Sequence, residues 1–272
     1  MSKGKVAVVG LDFSGIFAAR AADDLGYDVI AYKFEEPSVD SAAHWLSWVP
    51  ADIALEVPAT SIELIPIGNE ASYLKLKWGR IPAISKSFRS DFPMERRFVH
   101  GFNPEKVYKA MLPKNVKKLT HCPSTEEIYQ LTREYDAVFQ TFPAEESFEF
   151  QNPMLPFVLA IVHGKSDPNE NRIWYNGEDM GHVVAHSNLW GNSYFEFPMN
   201  VPFSEIKRVL PADLYSQMEF KHLRALNQFT REYQPLAFTP SNLYFVGKYA
   251  EWNPYREYHQ VYDRVKDILD EK

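Results

Sequence analysis

Residues 5–33 read KVAVV GLDFSG IFAARAADDL GYDVIAYK, and this stretch decides the fold of the chain. An apolar strand runs into a glycine turn at residues 10–15, and a helix rich in alanine follows the turn. Gly26 then ends the helix, and a second apolar strand begins. A strand, turn and helix in this order predict a parallel sheet that holds a nucleotide at the carboxyl ends of its strands.

Two residues in this stretch depart from the dinucleotide fingerprint G-x-G-x-x-G. In that fingerprint the middle glycine lets the backbone approach a pyrophosphate, and an acid at the end of the second strand binds a ribose. Here Asp12 stands at the middle position and Lys33 at the acid's position. Asp12 is expected either to cap the helix or to contact a ligand. Lys33 is expected to be a solvated lysine or the partner of a 2′-phosphate.

Composition narrows the class of protein. The chain has 272 residues, 45% of them hydrophobic, and a formal net charge of −7, which argues against a nonspecific nucleic-acid binder. Its single cysteine, Cys122, excludes an internal disulfide framework and a cysteine-rich zinc site. No apolar run approaches the roughly 18 residues that a membrane span needs. We therefore expect a cytoplasmic protein with no membrane partner.

Helix and strand signals continue along the chain. Asn103 and Pro104 predict a helix start, and Ser124 with Glu127 predicts a capping box. Alternation predicts a strand at Tyr73–Trp78, and helical spacing predicts a helix at Ala212–Leu226. Other predicted elements are strands at Ser61–Ile65, Val116–Leu119, Tyr135–Thr141 and Asn242–Gly247, with a closing helix at Tyr255–Leu269.

These elements predict an α/β fold with a doubly wound, mainly parallel, Rossmann-like sheet and an interleaved β-rich substrate region. The nucleotide-binding domain is expected at residues 1–44, 100–147 and 236–272. The substrate or cap region is expected at residues 45–99 and 148–235. On such a sheet, the turns after the first, middle and last strands surround one crevice.

Three further segments resemble a known family. Residues 135–143 (YDAVFQTFP) and 243–252 (LYFVGKYAEW) are similar to the middle and last strands of FAD proteins of the amine-oxidase and UDP-galactopyranose-mutase type. Arg172–Asn176 is similar to a substrate-domain strand of the mutase-like members. With the opening turn, the order and spacing of these segments span nearly the whole chain.

The resemblance implies FAD contacts at positions matched along the chain. Gly10, Ser14 and Gly15 would form the tight turn, and the candidate set also includes Asp12, Phe13 and Lys33. Thr141 and Phe142 would border the adenosine, and Gly247 and Lys248 would approach the pyrophosphate. The flavin edge would face Trp252, Asn253 and Tyr255.

Candidate catalytic residues are few. His44 and His259 could reach the crevice and act as acid or base near neutral pH. Tyr175 lies on the presumed substrate strand. No compact metal-binding spacing is present, and a strand rather than a helix is expected around His186, so no metal is expected.

The predicted function is an FAD-dependent oxidoreductase that removes hydride from a C–N or C–O bond of a small polar or nucleotide-linked substrate. Three alternatives stay open. They are a noncatalytic nucleotide-binding or regulatory protein on a degenerate flavoprotein scaffold, an NADP-dependent reductase, and a flavoenzyme that modifies a nucleic-acid base.

Overall fold

The computed structural model describes residues 2–34, 45–78, 92–142, 159–178, 183–198, 204–205, 208, 219–223, 239–247, 250–251 and 257–271. The strands are β1 (Lys5–Val9), β2 (Asp28–Phe34), β3 (Thr60–Gly68), β4 (Arg97–Gly101), β5 (Val116–Leu119), β6 (Ala137–Gln140), β7 (Leu159–Lys165), β8 (Arg172–Gly177), β9 (Ala185–Leu189), β10 (Asn192–Pro198), β11 (Glu219–Leu223) and β12 (Leu243–Phe245). The helices are α1 (Phe13–Asp24), α2 (Ala51–Glu56), α3 (Glu70–Trp78), α4 (Pro104–Ala110), α5 (Thr125–Glu134) and α6 (Tyr258–Asp270).

The first sheet is parallel throughout its described strands. Its order is β12-β6-β1-β2-β5, and β1 pairs in register with β2 on one side and β6 on the other. This is the doubly wound order in which the chain reverses direction beside its first strand. The predicted fold class is therefore confirmed.

Both faces of the parallel sheet are covered. Val6 and Val8 belong to a core cluster shared with α1 and α6, whereas Ala7 and Val9 pack with Ile128 of α5 on the other face. Such two-sided burial explains why β1 reads as a continuous apolar run. Because β1 is central, its carboxyl end lies between the carboxyl ends of β6 and β2, where a crevice is expected.

Helix starts follow the predicted caps. The Asn103 side chain accepts a hydrogen bond from the backbone N–H of Lys106, with Pro104 at the first helical position. Ser124 and Glu127 form a complete capping box at the start of α5. These local signals place both helices as predicted.

The second sheet is mixed and has the order β11-β7-β10-β9-β8-β3-β4 in the described residues. Its strands pair antiparallel except for β3 and β8, which are parallel. One face packs against α3, where Tyr73 is fully buried among Ile62, Leu64 and Ile173.

Two predicted elements are wrong. Tyr73–Trp78 lies in the helix α3, because Asn69 accepts from the backbone N–H of Ser72 and starts a helical turn that buries Tyr73 against the sheet. Part of the predicted helix Ala212–Leu226 is the strand β11, which pairs antiparallel with β7. In both cases a tertiary contact overrides the local pattern.

Candidate functional site

The crevice at the carboxyl ends of β1 and β6 brings predicted residues together. Thr141 is fully buried, and its hydroxyl donates to the carbonyl oxygen of Gly10 at 2.8 Å. A Cβ atom at Gly10 would lie 2.7 Å from that hydroxyl and 3.2 Å from the backbone nitrogen of Phe142. Gly10, Thr141 and Phe142 therefore form one close-packed wall of the crevice.

Two more glycines are required by contacts within the chain. A Cβ atom at Gly15 would lie 1.9 Å from the carbonyl oxygen of Gly10, so α1 can only start this close to β1 with glycine there. At the end of β12, a Cβ atom at Gly247 would lie 2.5 Å from the hydroxyl oxygen of Ser14. The turn and the last strand thus meet directly, as predicted from the doubly wound topology.

Asp12 is the N-cap of α1. Its backbone is extended, and its Oδ1 accepts a hydrogen bond of 2.7 Å from the backbone N–H of Gly15. A carboxylate at a helix N-terminus is stabilised by the free N–H groups and by the helix dipole. Of the two roles expected for Asp12, the structure shows the cap.

Lys33 is half-buried and contacts the same turn through the side chain of Tyr108. Its Nζ donates to the hydroxyl oxygen of Tyr108 at 3.1 Å, and that hydroxyl donates to the carbonyl oxygen of Leu11 at 3.1 Å. The Nζ atom also lies 5.1 Å from the centroid of the Tyr108 ring, within cation–π range. A positive charge is therefore held beside the residue that precedes Asp12.

Phe13 is 5% exposed and packs inside the fold. Its ring lies 5.9 Å from the ring of Tyr108 and 5.7 Å from that of Tyr258 at the start of α6. This placement gives Phe13 a packing role between α1, α4 and α6.

Two of the three candidate catalytic residues, Tyr175 and His259, lie in the part of the chain that the structure describes. Tyr175 is buried in the core between α3 and the second sheet, with its ring edge-on to Tyr73 at 5.9 Å. His259 lies at the start of α6, 6.2 Å from the ring of Trp48. The remaining predicted site residues lie outside the described residues: His44, Lys248, Trp252, Asn253 and Tyr255.

A second polar region lies on the face of the mixed sheet that is turned away from α3. The Glu63 side chain is only 5% exposed and forms ion pairs with Arg96 and with Arg172, the latter at 2.9 Å. These residues line an open cavity of about 610 Å³, whose rim also carries Phe98 and Asp167. Local sequence gives no sign of the ion pair, because Arg96 precedes β4 and its partner Glu63 lies 33 residues earlier on β3.

The network continues across the sheet to a stacked histidine. Asn188 donates to Glu170 at 2.6 Å, and Glu170 accepts from Arg172 at 3.1 Å. Because the amide oxygen of Asn188 is an acceptor, the Nε2 of His186, 3.1 Å away, carries the proton. Burial lowers the pKa of His186 below its usual value of 6.5.

The His186 ring is sandwiched between two aromatic rings. The Trp174 ring stacks on it at 4.8 Å and the Phe195 ring at 4.1 Å, with interplanar angles of 16° and 6°. The three residues lie on β8, β9 and β10, as cross-strand neighbours on one face. His186 is thus held on a strand, as expected, by rings that no local pattern pairs.

Two features are absent from the described residues. Among them, no group of three or more histidine, cysteine, aspartate or glutamate side chains could hold a metal ion. No helix in the same ranges has the length and apolar character that crossing a membrane requires.

Comparison with known proteins identifies similar folds. No family model matches the chain, and no curated sequence matches it. Among solved structures, the tryptophan 5-halogenase MibH matches with a TM-score of 0.58 at 11% identity, over 98% of this chain and 66% of its own. The chain therefore spans slightly less than two thirds of that enzyme.

Two other structures give the same result. Xcc4156, a flavin-dependent halogenase from Xanthomonas campestris, has a TM-score of 0.50 at 9% identity, over 98% of this chain and 70% of its own. The 2,6-dihydroxypyridine-3-hydroxylase from Arthrobacter nicotinovorans has a TM-score of 0.53 at 12% identity, over 99% and 84%. This chain shares their fold. The broad resemblance to flavoproteins is confirmed at the level of the fold, and the finer placement among amine oxidases or mutases stays a prediction.

Proposed function

We propose that this chain is an FAD-dependent oxidoreductase, with the nucleotide in the crevice at the carboxyl ends of β1, β6 and β12. One observation carries the proposal. The chain contains both sheets, and it aligns over 98% of its length with a flavin-dependent halogenase. The doubly wound order of the first sheet supports the same position for the nucleotide.

The residues of the opening turn fit FAD in backbone shape and not in charge. The glycines at positions 10, 15 and 247 allow the close packing of strand, turn and helix. Asp12, however, places a carboxylate against the helix N-terminus that would face the pyrophosphate, and Lys33 cannot accept hydrogen bonds from a ribose. The ordinary contacts of the fingerprint with the pyrophosphate and the ribose therefore do not fit at these two positions.

The remaining assignments from the sequence are part of this proposal. They include the domain division at residues 44/45, 99/100, 147/148 and 235/236, the candidate contacts of Lys248, Trp252, Asn253 and Tyr255, and the catalytic candidates His44, Tyr175 and His259. The proposed reaction stays the oxidation of a C–N or C–O bond in a small polar or nucleotide-linked substrate. The halogenase and hydroxylase relatives add an aromatic ring as a substrate class.

One alternative has its own support. A noncatalytic nucleotide-binding or regulatory protein would keep the fold and satisfy the turn from within, as Asp12 does. An NADP-dependent reductase would use Lys33 to bind a 2′-phosphate.

The decisive experiment is a titration of the purified chain with FAD, followed by flavin fluorescence and by the visible spectrum. We expect saturable binding with a shifted flavin spectrum, and no comparable binding of FMN, which lacks the adenosine. Failure of FAD to bind overturns the proposal. Saturable binding of NADP⁺ in its place supports the reductase. Bound FAD that dithionite reduces but that NADH and NADPH leave oxidised supports the noncatalytic protein.

A matched pair of variants tests the position of the nucleotide. Lys33→Glu restores an acid at the end of β2 and is expected to tighten FAD binding several-fold, since a carboxylate accepts from ribose hydroxyls. Lys118→Glu is the control, because Lys118 is the exposed register partner of Lys33 on β5 and undergoes the same change of charge. Equal changes of FAD affinity in the two variants would show that the affinity depends only on the overall charge of the protein.

A further inference from the structure

The start of α1 already has an anion bound to it, and the anion is part of the chain. In fingerprint proteins the free N–H groups at this helix end face the pyrophosphate. Here the carboxylate of Asp12 accepts from the N–H of Gly15 at 2.7 Å. Asp12 stands at the position of the middle glycine, which in the fingerprint lets the backbone approach the phosphate.

The same turn is held from its other side. Tyr108 donates to the carbonyl oxygen of Leu11, and Lys33 donates to Tyr108, each at 3.1 Å. The two departures from the fingerprint, Asp12 and Lys33, therefore act on adjacent residues of one turn. A carboxylate therefore lies at the start of α1, and the ammonium group of Lys33 reaches the preceding residue, Leu11, through the Tyr108 hydroxyl.

Two further contacts at these strand ends are made within the chain. The hydroxyl of Thr141 bonds to the carbonyl of Gly10, and Gly247 packs directly on Ser14. The turn is thus held by groups of the chain itself, while the fully buried side chain of Gln140, the register partner of Val9 on β6, has no hydrogen-bond partner among the described residues.

We propose that Asp12 is an internal substitute for the pyrophosphate of the cofactor, so that FAD binds in exchange for the Asp12–Gly15 hydrogen bond. The inference rests on the proposed function, because FAD is the ligand that Asp12 opposes. It makes the ligand-free chain a stable folded form and FAD an exchangeable ligand. Asp12 is a positioning residue of the turn in this scheme.

The test compares three single variants of the full chain for FAD affinity and for thermal midpoint without FAD. Asp12→Gly removes both cap and charge. Asp12→Asn keeps a side chain that caps as well as aspartate and removes the charge. Ser124→Gly removes the cap of α5, which packs on the opposite face of the sheet.

We expect Asp12→Gly to bind FAD about tenfold more tightly than the wild-type chain, since the carboxylate and the pyrophosphate are like charges that compete for one helix N-terminus. Asp12→Asn should lie between the two, with a ligand-free thermal midpoint close to that of the wild type. Ser124→Gly should lower the thermal midpoint and leave the affinity for FAD unchanged. Saturating FAD should raise the midpoint of Asp12→Gly more than that of the wild type.

Distinct results overturn the two proposals. If the wild-type chain binds FAD and Asp12→Gly binds it equally or more weakly, Asp12 does not stand in for the pyrophosphate. The inference also fails if Asp12→Asn, which keeps the cap, unfolds in the absence of FAD. If the wild-type chain does not bind FAD, the proposed function is wrong and the inference falls with it, whether or not Asp12→Gly binds.

Discussion

In the parallel sheet both faces of the central strand are covered by apolar side chains, whereas one face of the mixed sheet carries a network of charged and polar groups. The central strand β1 has Val6, Val8 and their neighbours fully buried. In the mixed sheet, the side chain of Glu63 is nearly as well buried and lies within ion-pair distance of two guanidinium groups. The first sheet depends on close packing, and the second depends on satisfied charges.

This difference indicates which substitutions should destabilise each sheet. Close-packed backbone tolerates no added atom, because neighbouring main chain cannot move aside as a flexible side chain can. A buried ion pair tolerates a change of volume better than the loss of one partner, which leaves an uncompensated charge. An added methyl group should therefore destabilise the parallel sheet more than the mixed sheet. The loss of one charge should destabilise the mixed sheet more than the parallel sheet.

The largest expected effect is that of Gly15→Ala. The new Cβ would lie 1.9 Å from the carbonyl oxygen of Gly10, so α1 or β1 must shift, at a cost of about 3 kcal/mol. Gly26→Ala is the matched control, because Gly26 has a φ of +84° and open space around its Cβ position. That variant should cost only about 1–2 kcal/mol of backbone strain. Urea unfolding of both variants checks the difference, and equal losses would contradict it.

Glu63→Gln should have the next largest effect. It keeps the shape of the side chain and removes the charge that both Arg96 and Arg172 bind. Because the guanidinium groups are half-exposed and can be hydrated, we expect a loss of about 2 kcal/mol rather than the full cost of a buried unpaired charge. In the control Glu105→Gln, an exposed pair with Lys109 is lost, and less than about 0.5 kcal/mol should follow. A Glu63→Gln variant as stable as this control would show that the network contributes nothing.

The parallel sheet could be predicted because its signals are local. An apolar run such as Val6–Val9, and caps such as Ser124 with Glu127, lie within a few residues of the elements that they define. The helix α3 was not predictable from alternation, since Tyr73 faces the core only because the mixed sheet provides a surface for it. Such predictions are limited by how far apart in sequence the contacting residues lie, and not by a weak propensity for helix or strand.

The candidate site divides in the same way. The glycine turn and the role of Asp12 as a possible cap follow from spacing within one motif. The contact of Lys33 with Tyr108 joins residues 75 positions apart, and the ion pairs of Glu63 join three separate segments. These contacts depend on strand order and register. Local patterns in a single sequence do not reveal either one.

Alkaline pH should test the parallel sheet. The Tyr135 hydroxyl lies 3.1 Å from that of Tyr32, and burial with this hydrogen bond raises the pKa of Tyr135 from 10.0 to about 12. Between these values the unfolded chain has lost a proton that the folded chain still holds, so stability falls as pH rises. In Tyr135→Phe, urea midpoints measured from pH 9 to 11 should fall less steeply than in the wild type. Part of the fall should remain, because the pKa of Tyr244 is raised as well.

Acidic pH should test the mixed sheet, and with the smallest effect. Burial between Trp174 and Phe195 lowers the pKa of His186 below the value of 6.5 that it has when unfolded. Below pH 6.5 the unfolded chain therefore takes up a proton that the folded chain resists, and stability falls as pH is lowered. His186→Phe keeps a ring in the stack and removes the titration, at the cost of the bond to Asn188. Its stability should accordingly be lower than that of the wild type at pH 7.5 and should change less between pH 6.5 and pH 5. If instead both chains lose stability in parallel over that range, the acid sensitivity comes from other groups and the stacked histidine is not titrating in this window.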